Sequence, residues 1–279
     1  MCATTSPQRR RTKLRRRQMS DRATGFGPTI ESMNAIPLEA VNAVAGLQTR
    51  VDRKYVVSNG LLDKLRFDSR VRALEIDGRR CFRYETTYYD TEERHLYLDA
   101  ARRRPHRFKV RIRSYIDSGD IWLEIKRKNG RGKTIKTRRL IVPSEGLAGL
   151  SAPMRAFVND HVITELTYDL HPALTTLFER ATIVDLAASA RYTIDRNVRA
   201  IAPDGRIVTF GEAAIVETKS NGRPTPLDRL LWHCNVRPVP ISKYCTTMAL
   251  LDPSLPSNHW HRTLDRHFRS RENLLRVSG

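Results

Sequence analysis

The sequence has no uninterrupted run of the roughly 18 or more apolar residues that a membrane-spanning helix requires. Its four cysteines (Cys2, Cys81, Cys234, Cys245) include no CxxC pair, and its eight histidines fall into neither HxxxH nor HExxH spacing. Neither a zinc site nor a disulfide framework is indicated, and a reducing cytoplasm fits. There is no GxxxxGK[ST] loop, so any phosphate bound here is held without a P-loop. Aromatic residues make up only 7% of the chain, little for stacking bases, and no RRM or helix-turn-helix pattern is visible, which argues against nucleic acid. Acidic residues are also few, 30 against 50 basic, leaving a net charge of +20.

With 279 residues, 40% apolar and 29% charged, the chain is long enough to bury a sizeable core as a soluble globular protein. Its basic excess calls for a polyanionic partner: nucleic acid, an anionic membrane surface, or phosphates. Seven of the basic residues sit in the segment QRRRTKLRRRQ, so the rest of the chain still carries +13. That segment lacks the apolar core of a secretory signal. We read residues 1–35 as a disordered basic tail: a solvated arm, an over-called start with translation beginning at Met19 or Met33, or a functional arm touching nucleic acid or anionic lipid.

Period-two alternation and turn signals predict strands near 50–56, 84–90, 106–116, 121–128, 133–141, 190–198, 206–209 and 213–219. Helical spacing predicts a short helix in PLEAVNAVAGL and others over 58–72, 151–160 and 225–234. The polar links DSGD, NGRGK and PDGR are short, which predicts antiparallel pairing.

Side chains alternate across a strand, so cations share one face on strand after strand. Arg50, Asp52 and Lys54 share one, as do Lys109, Arg111 and Arg113, then Trp122, Glu124, Lys126 and Lys128. The same holds for Lys136 and Arg138, for Arg191, Thr193 and Asp195, and for Glu217 and Lys219. A solvent-facing sheet accounts for part of this pattern. Yet two like charges about 5 Å apart repel by roughly 3 kcal/mol at an effective dielectric near 20, and such repulsion repeated over six strands calls for a compensating anion. If the strands curl into a barrel, the cations line a water-filled tunnel.

These pieces, in order, resemble a known family. RVDRKYVV (50–57), TYYDT (87–91), KVRIRSY (109–115), WLEIKRK with the later KTRR (122–128 and 136–139), LFERATI (177–183), ARYTIDRNV (190–198), IVETKSNGRP (215–224) and SKYCTTM (242–248) are similar to the VTC domain. That domain is the polyphosphate-polymerase branch of the triphosphate tunnel metalloenzymes. The resemblance implies an α+β fold built on an eight-stranded antiparallel β-barrel, the triphosphate tunnel, with flanking helices. It implies a tunnel domain over residues 36–255, with a C-terminal helix or tail over 256–279. It further implies transfer of the ATP γ-phosphate onto a polyphosphate chain, helped by a divalent metal, Mn²⁺ or Mg²⁺.

Matched to that family, Lys54, Arg111, Arg113, Lys126 and Glu217 are expected to be catalytic, with Lys136, Arg180, Arg191 and Lys243 binding substrate; Arg138 and Lys219, on the same strand faces, are expected as additional substrate-binding residues of the lumen. Glu217 is the expected metal ligand, with Glu124 as a second candidate that pairing with nearby cations explains better. Arg180 in LFERA reads alternatively as a helix cap or a helix salt-bridge partner. Two departures from the family stand out: Asp52 where Glu is usual, and Phe178 where Tyr is usual. The expected partners are ATP and inorganic polyphosphate, in the cytoplasm or peripheral at a membrane, with a membrane-associated partner left open. Two other activities remain: hydrolysis of tripolyphosphate or a nucleoside triphosphate on the same fold, and non-catalytic polyanion binding. An ExExK first strand goes with the hydrolases, and here that strand reads RVDRK.

Overall fold

The computed structural model of the chain describes residues 27–45, 51–130, 133–142, 145, 149–162, 170–268 and 274–275. The basic tail through Arg17 lies outside them, as does Arg50. The first elements are α1 (Gly27–Glu31), β1 (Asn34–Ile36), α2 (Leu38–Ala45), β2 (Val51–Ser58), α3 (Asn59–Lys64), β3 (Val71–Leu74), β4 (Phe82–Asp90) and α4 (His95–Ala101). Next come β5 (Phe108–Tyr115), β6 (Ile121–Lys128), β7 (Thr134–Leu140), α5 (Ala152–Asn159), β8 (His171–Asp185), β9 (Ala190–Ile201) and β10 (Ile207–Thr209). The chain closes with β11 (Ala213–Ser220), α6 (Pro226–His233), α7 (Lys243–Leu251), α8 (His261–His267) and β12 (Leu274–Leu275).

The fold is α+β, as expected. Eight strands pair antiparallel in one path, β7-β6-β5-β4-β8-β9-β11-β2. Among the described residues β2 and β7 share no ladder, so the barrel is a curled sheet with a seam. On the seam side of β2, Val239 donates its N–H to the Lys54 carbonyl at 2.8 Å. Two bulges bend the sheet. In one, Asn197 with φ of 53° adds a residue to β9 where β8 shifts register between Leu177 and Glu179. In the other, Ala173 is the extra residue opposite Tyr88 and Tyr89. A bulged strand bends and twists more strongly, which supplies the curl.

Helices cover the outer face. Apolar alternates of β4, β5 and β6, among them Val110, Ile112, Leu123 and Ile125, pack with Met154 and Val158 of α5. On the opposite side Tyr55, Val57, Tyr192, Ile194 and Val216 pack with Leu227 and Leu231 of α6. The hairpin turns use glycine in left-handed backbone where the links predicted it, Gly119 at φ 80° and Gly205 at φ 90°.

Three expectations need correction. The tail expected over 1–35 is not disordered throughout, since Gly27–Glu31 and Asn34–Ile36 form α1 and β1 and Ile30 is buried in the core. Residues 58–72 are not one helix: Ser58 caps α3, Leu65 turns extended, and Val71–Leu74 joins the sheet against β1 and β8. Arg180 does not cap or salt-bridge a helix either. It lies within β8, a 15-residue strand whose burial runs through both faces and so removes the alternation that marks a strand.

Candidate functional site

Register aligns the inward side chains into rows. Lys109, Lys126 and Lys136 lie opposite one another on β5, β6 and β7, and so do Arg111, Glu124 and Arg138. On the facing wall Lys54, Glu217, Thr193 and Thr182 form one row, with Asp52, Lys219 and Arg191 beside it. Lys243 enters from the start of α7.

Three carboxylates hold these cations in place. Glu124, 1% exposed, accepts from Arg111 Nε at 2.7 Å and has Lys136 Nζ at 2.5 Å and Arg113 Nη1 at 3.8 Å. Burial raises its pKa, but Arg111, Arg113 and Lys136 outweigh burial and hold it well below the usual carboxylate range. Asp195 takes both ends of the Arg180 guanidinium, at 2.6 and 2.8 Å, and also pairs with Lys243. Burial is again outweighed, by Arg180 and Lys243, which bring its carboxyl to about 2. The third, Glu217, lies 2.5 Å from Lys219 Nζ, which also reaches Asp52 at 3.3 Å. Against its burial, Lys54, Lys219 and Lys126 depress its pKa strongly.

Aromatic rings support the cations from beneath. Tyr84 stacks on Phe178 at 5.2 Å with rings 2° from parallel. Arg180 lies 5.3 Å over Phe178 and 5.5 Å over Tyr84, Lys243 4.2 Å over Phe178, and Arg111 5.9 Å over Tyr88. Phe178 thus serves as a cation platform, a role that needs no phenolic hydroxyl. Tyr244 of α7 stacks on Tyr88 at 5.2 Å, so α7 packs against the inner face at this end.

Lys126 shows that the walls face each other. Burial and Lys54 lower its pKa to about 7, with Arg111 and Lys219 adding and Glu217 opposing. Of these groups, Lys54, Lys219 and Glu217 belong to β2 and β11, across the curl from β6. Burial also lowers Lys136, to about 8, against the pull of Glu124. Lys126, Lys136 and Arg138 are nonetheless exposed to water. A region surrounded by protein yet wet is a hollow, not a packed core.

All eleven cations and carboxylates expected to be catalytic or substrate-binding come together around this hollow. The sequence reading assigned no role to Lys109, whose Nζ donates to Ser242 Oγ at 2.8 Å and contacts Cys245 Sγ at 3.1 Å. Tyr84, Tyr88 and Asp195 were also without a role, although alternation in FRYETTYYD and RYTID places them on the inner face. Among the described residues, twelve cations (Lys54, Lys109, Arg111, Arg113, Lys126, Lys128, Lys136, Arg138, Arg180, Arg191, Lys219, Lys243) face four carboxylates (Asp52, Glu124, Asp195, Glu217). Such an arrangement binds a chain of negative charge, with arginine forks on non-bridging oxygens and lysines as mobile point charges.

Among the described residues no three His, Cys, Asp or Glu side chains cluster as a metal site. Glu124 has its oxygens occupied by three cations and is a poor metal ligand. Glu217 is a partly buried carboxylate whose one ion-pair partner among the described residues, Lys219, it shares with Asp52, which fits an ion that brings phosphate oxygens with it, as Mg²⁺ commonly does.

Comparison with known proteins gives a family match and several structural likenesses. Residues 49–252 match the family model described as the VTC domain. No curated protein matches the sequence. Among solved structures, the chain is similar to the PH1819 protein of Pyrococcus horikoshii, at 13% identity and a TM-score of 0.44, covering 72% of this chain and 99% of that one. It is also similar to HpAC1 from Hippeastrum, described as revealing a dominant triphosphatase activity. There the identity is 13% and the TM-score 0.41, with 75% of this chain and 100% of that one covered.

Proposed function

The chain belongs to the VTC-domain family, and from that premise we propose that it is a polyphosphate polymerase, moving the γ-phosphate of ATP onto a polyphosphate chain inside the basic hollow. The observation that carries this reading is the excess of cations over carboxylates on two facing walls, extended over more rows than one triphosphate needs. Phosphoryl transfer asks mainly for positioning and charge stabilisation, and a fixed lining of cations supplies both.

Arg111 and Arg113, oriented by Glu124 and the tyrosine faces, clamp non-bridging oxygens on one wall. Arg180 and Lys243, oriented by Asp195 and Phe178, do the same on the other. Lys54 and Lys126 approach from opposite sides and neutralise charge as it shifts between the accepting and departing oxygens. Lys136, Arg138, Arg191 and Lys219 hold the rest of the polyanion. A divalent ion, Mn²⁺ or Mg²⁺, would be held by Glu217 and would add charge neutralisation on the phosphate oxygens. Lys219 would then release Glu217 and turn to phosphate.

Phosphorus NMR of the purified protein with ATP and Mn²⁺ or Mg²⁺ tests the reading. Internal-phosphate signal growing together with ADP is the expected result. ADP and orthophosphate alone would replace the polymerase by a hydrolase on the same scaffold. Tight polyphosphate binding without turnover would leave a non-catalytic polyanion binder.

A further inference from the structure

Outside the hollow lies a cleft of about 400 Å³ between the α6 start, the β8–β9 turn and the stretch after α3. Its apolar floor includes Phe67, Leu227 and Leu230, and its basic rim consists of Arg66, Arg70, Arg223 and Arg229. Two carboxylates line it as well. Asp68 is taken by Arg70 at 2.8 Å, and Asp185 accepts from Tyr192 and from the Ala188 N–H. Among the described residues Arg66 donates only to the carbonyls of Asp63 and Leu65, and neither Arg223 nor Arg229 meets a carboxylate. Both are exposed.

Position gives this rim its meaning. Lys219 and Arg191 are register partners on the inner face at the end of β11 and the start of β9. Their neighbours Ser220 and Tyr192 line the cleft on the outer side, and Asn221 and Arg223 follow directly in the chain. The inner row of cations and the outer arginine rim therefore meet over one edge of the sheet. Only the thickness of a single sheet separates the two faces there, so a flexible polyanion can pass from one to the other around that edge.

We propose that this cleft is a second polyanion site, with Arg223 and Arg229 holding the part of a long phosphate chain that lies beyond the hollow. The proposal rests on the polymerase reading for its ligand. It predicts selectivity by chain length: tripolyphosphate is satisfied by the inner cations, whereas a chain of about one hundred phosphates also engages the rim. Each arginine lost from such a contact lowers the dependence of log K on log salt by about one unit, by analogy with phosphate contacts in nucleic-acid binding.

The test compares Arg223→Ser/Arg229→Ser with Arg262→Ser/Arg266→Ser, an equal loss of charge from exposed positions on α8. Affinity for fluorescent long-chain polyphosphate and for tripolyphosphate is measured across a salt series. The expected result is a tenfold or greater loss for the long chain in the cleft variant alone, a salt slope shallower by about two units, and unchanged tripolyphosphate affinity. Equal weakening in both variants, or parallel loss for both ligands, would overturn the cleft and assign the effect to general charge. Unchanged long-chain binding in the cleft variant would overturn it too. Wild-type protein that binds neither ligand would instead remove the polymerase reading.

Discussion

Lys126 concentrates the conflict between binding and folding. Its pKa is lowered to about 7, so at neutral pH the unfolded chain binds more protons than the folded one, and stability rises with pH between about 7 and the ordinary lysine range. Lys126→Met removes the penalised charge and should raise Tm by about 2–4 °C at pH 7, the shift that roughly 1 kcal/mol gives after allowance for solvent screening. The same variant should abolish chain synthesis, which phosphorus NMR reads directly. In the wild type the sign reverses for ligand. Lysine is cationic below its pKa, so the advantage of wild type over Lys126→Met in tripolyphosphate affinity should shrink as pH rises from 6.5 to 9, a difference from which the ligand's own ionisation cancels. A difference flat with pH by calorimetric titration would contradict the arrangement. Glu124 behaves oppositely: Glu124→Gln strips the buried counter-charge from Arg111, Arg113 and Lys136 and should cost about 3–5 kcal/mol in urea unfolding.

At the scale of elements, the alternating strands were legible and the uniformly buried ones were not. KVRIRSY and WLEIKRK put cations on one face and Val, Ile and Leu on the other, and the observed β5 and β6 follow the predicted spans closely. β8 was missed as a strand, and so was α7, buried at every residue from Tyr244 to Leu251 and thus without a polar face to set a helical period. The inward residues could be read because they sit on amphipathic strands. Of their anchors, Glu124 and Glu217 were legible on the same faces, but the pairing of Asp195 was not, since only the curl brings it to Lys243 across 48 residues of sequence. α6 was legible from helical spacing over 225–234, and the structure adds its start: Thr225 and Asp228 form a reciprocal capping box with proline at the first turn. Thr225→Ala should therefore lower stability by about 1–2 kcal/mol in a denaturant titration, with tripolyphosphate affinity unchanged.

For the whole molecule, an interior of repelling cations implies that ligand and fold are coupled. A polyanion bound at 100 times its Kd adds about 2.7 kcal/mol, which should raise Tm by roughly 5–11 °C for tripolyphosphate, an effect that salt reduces. Differential scanning fluorimetry at two ionic strengths checks both parts. The bulge at Asn197 has a further consequence. Its left-handed backbone is one that asparagine tolerates and β-branched residues resist. The bend there sets the calibre of the hollow, and fields from two walls reinforce each other on a ligand only while both stand within a screening length of about 8 Å. Affinity is thus tuned by curvature as well as by charge: Asn197→Val would leave every lysine and arginine in place and still detune the molecule, much as widening a lens mount spoils focus without touching the glass.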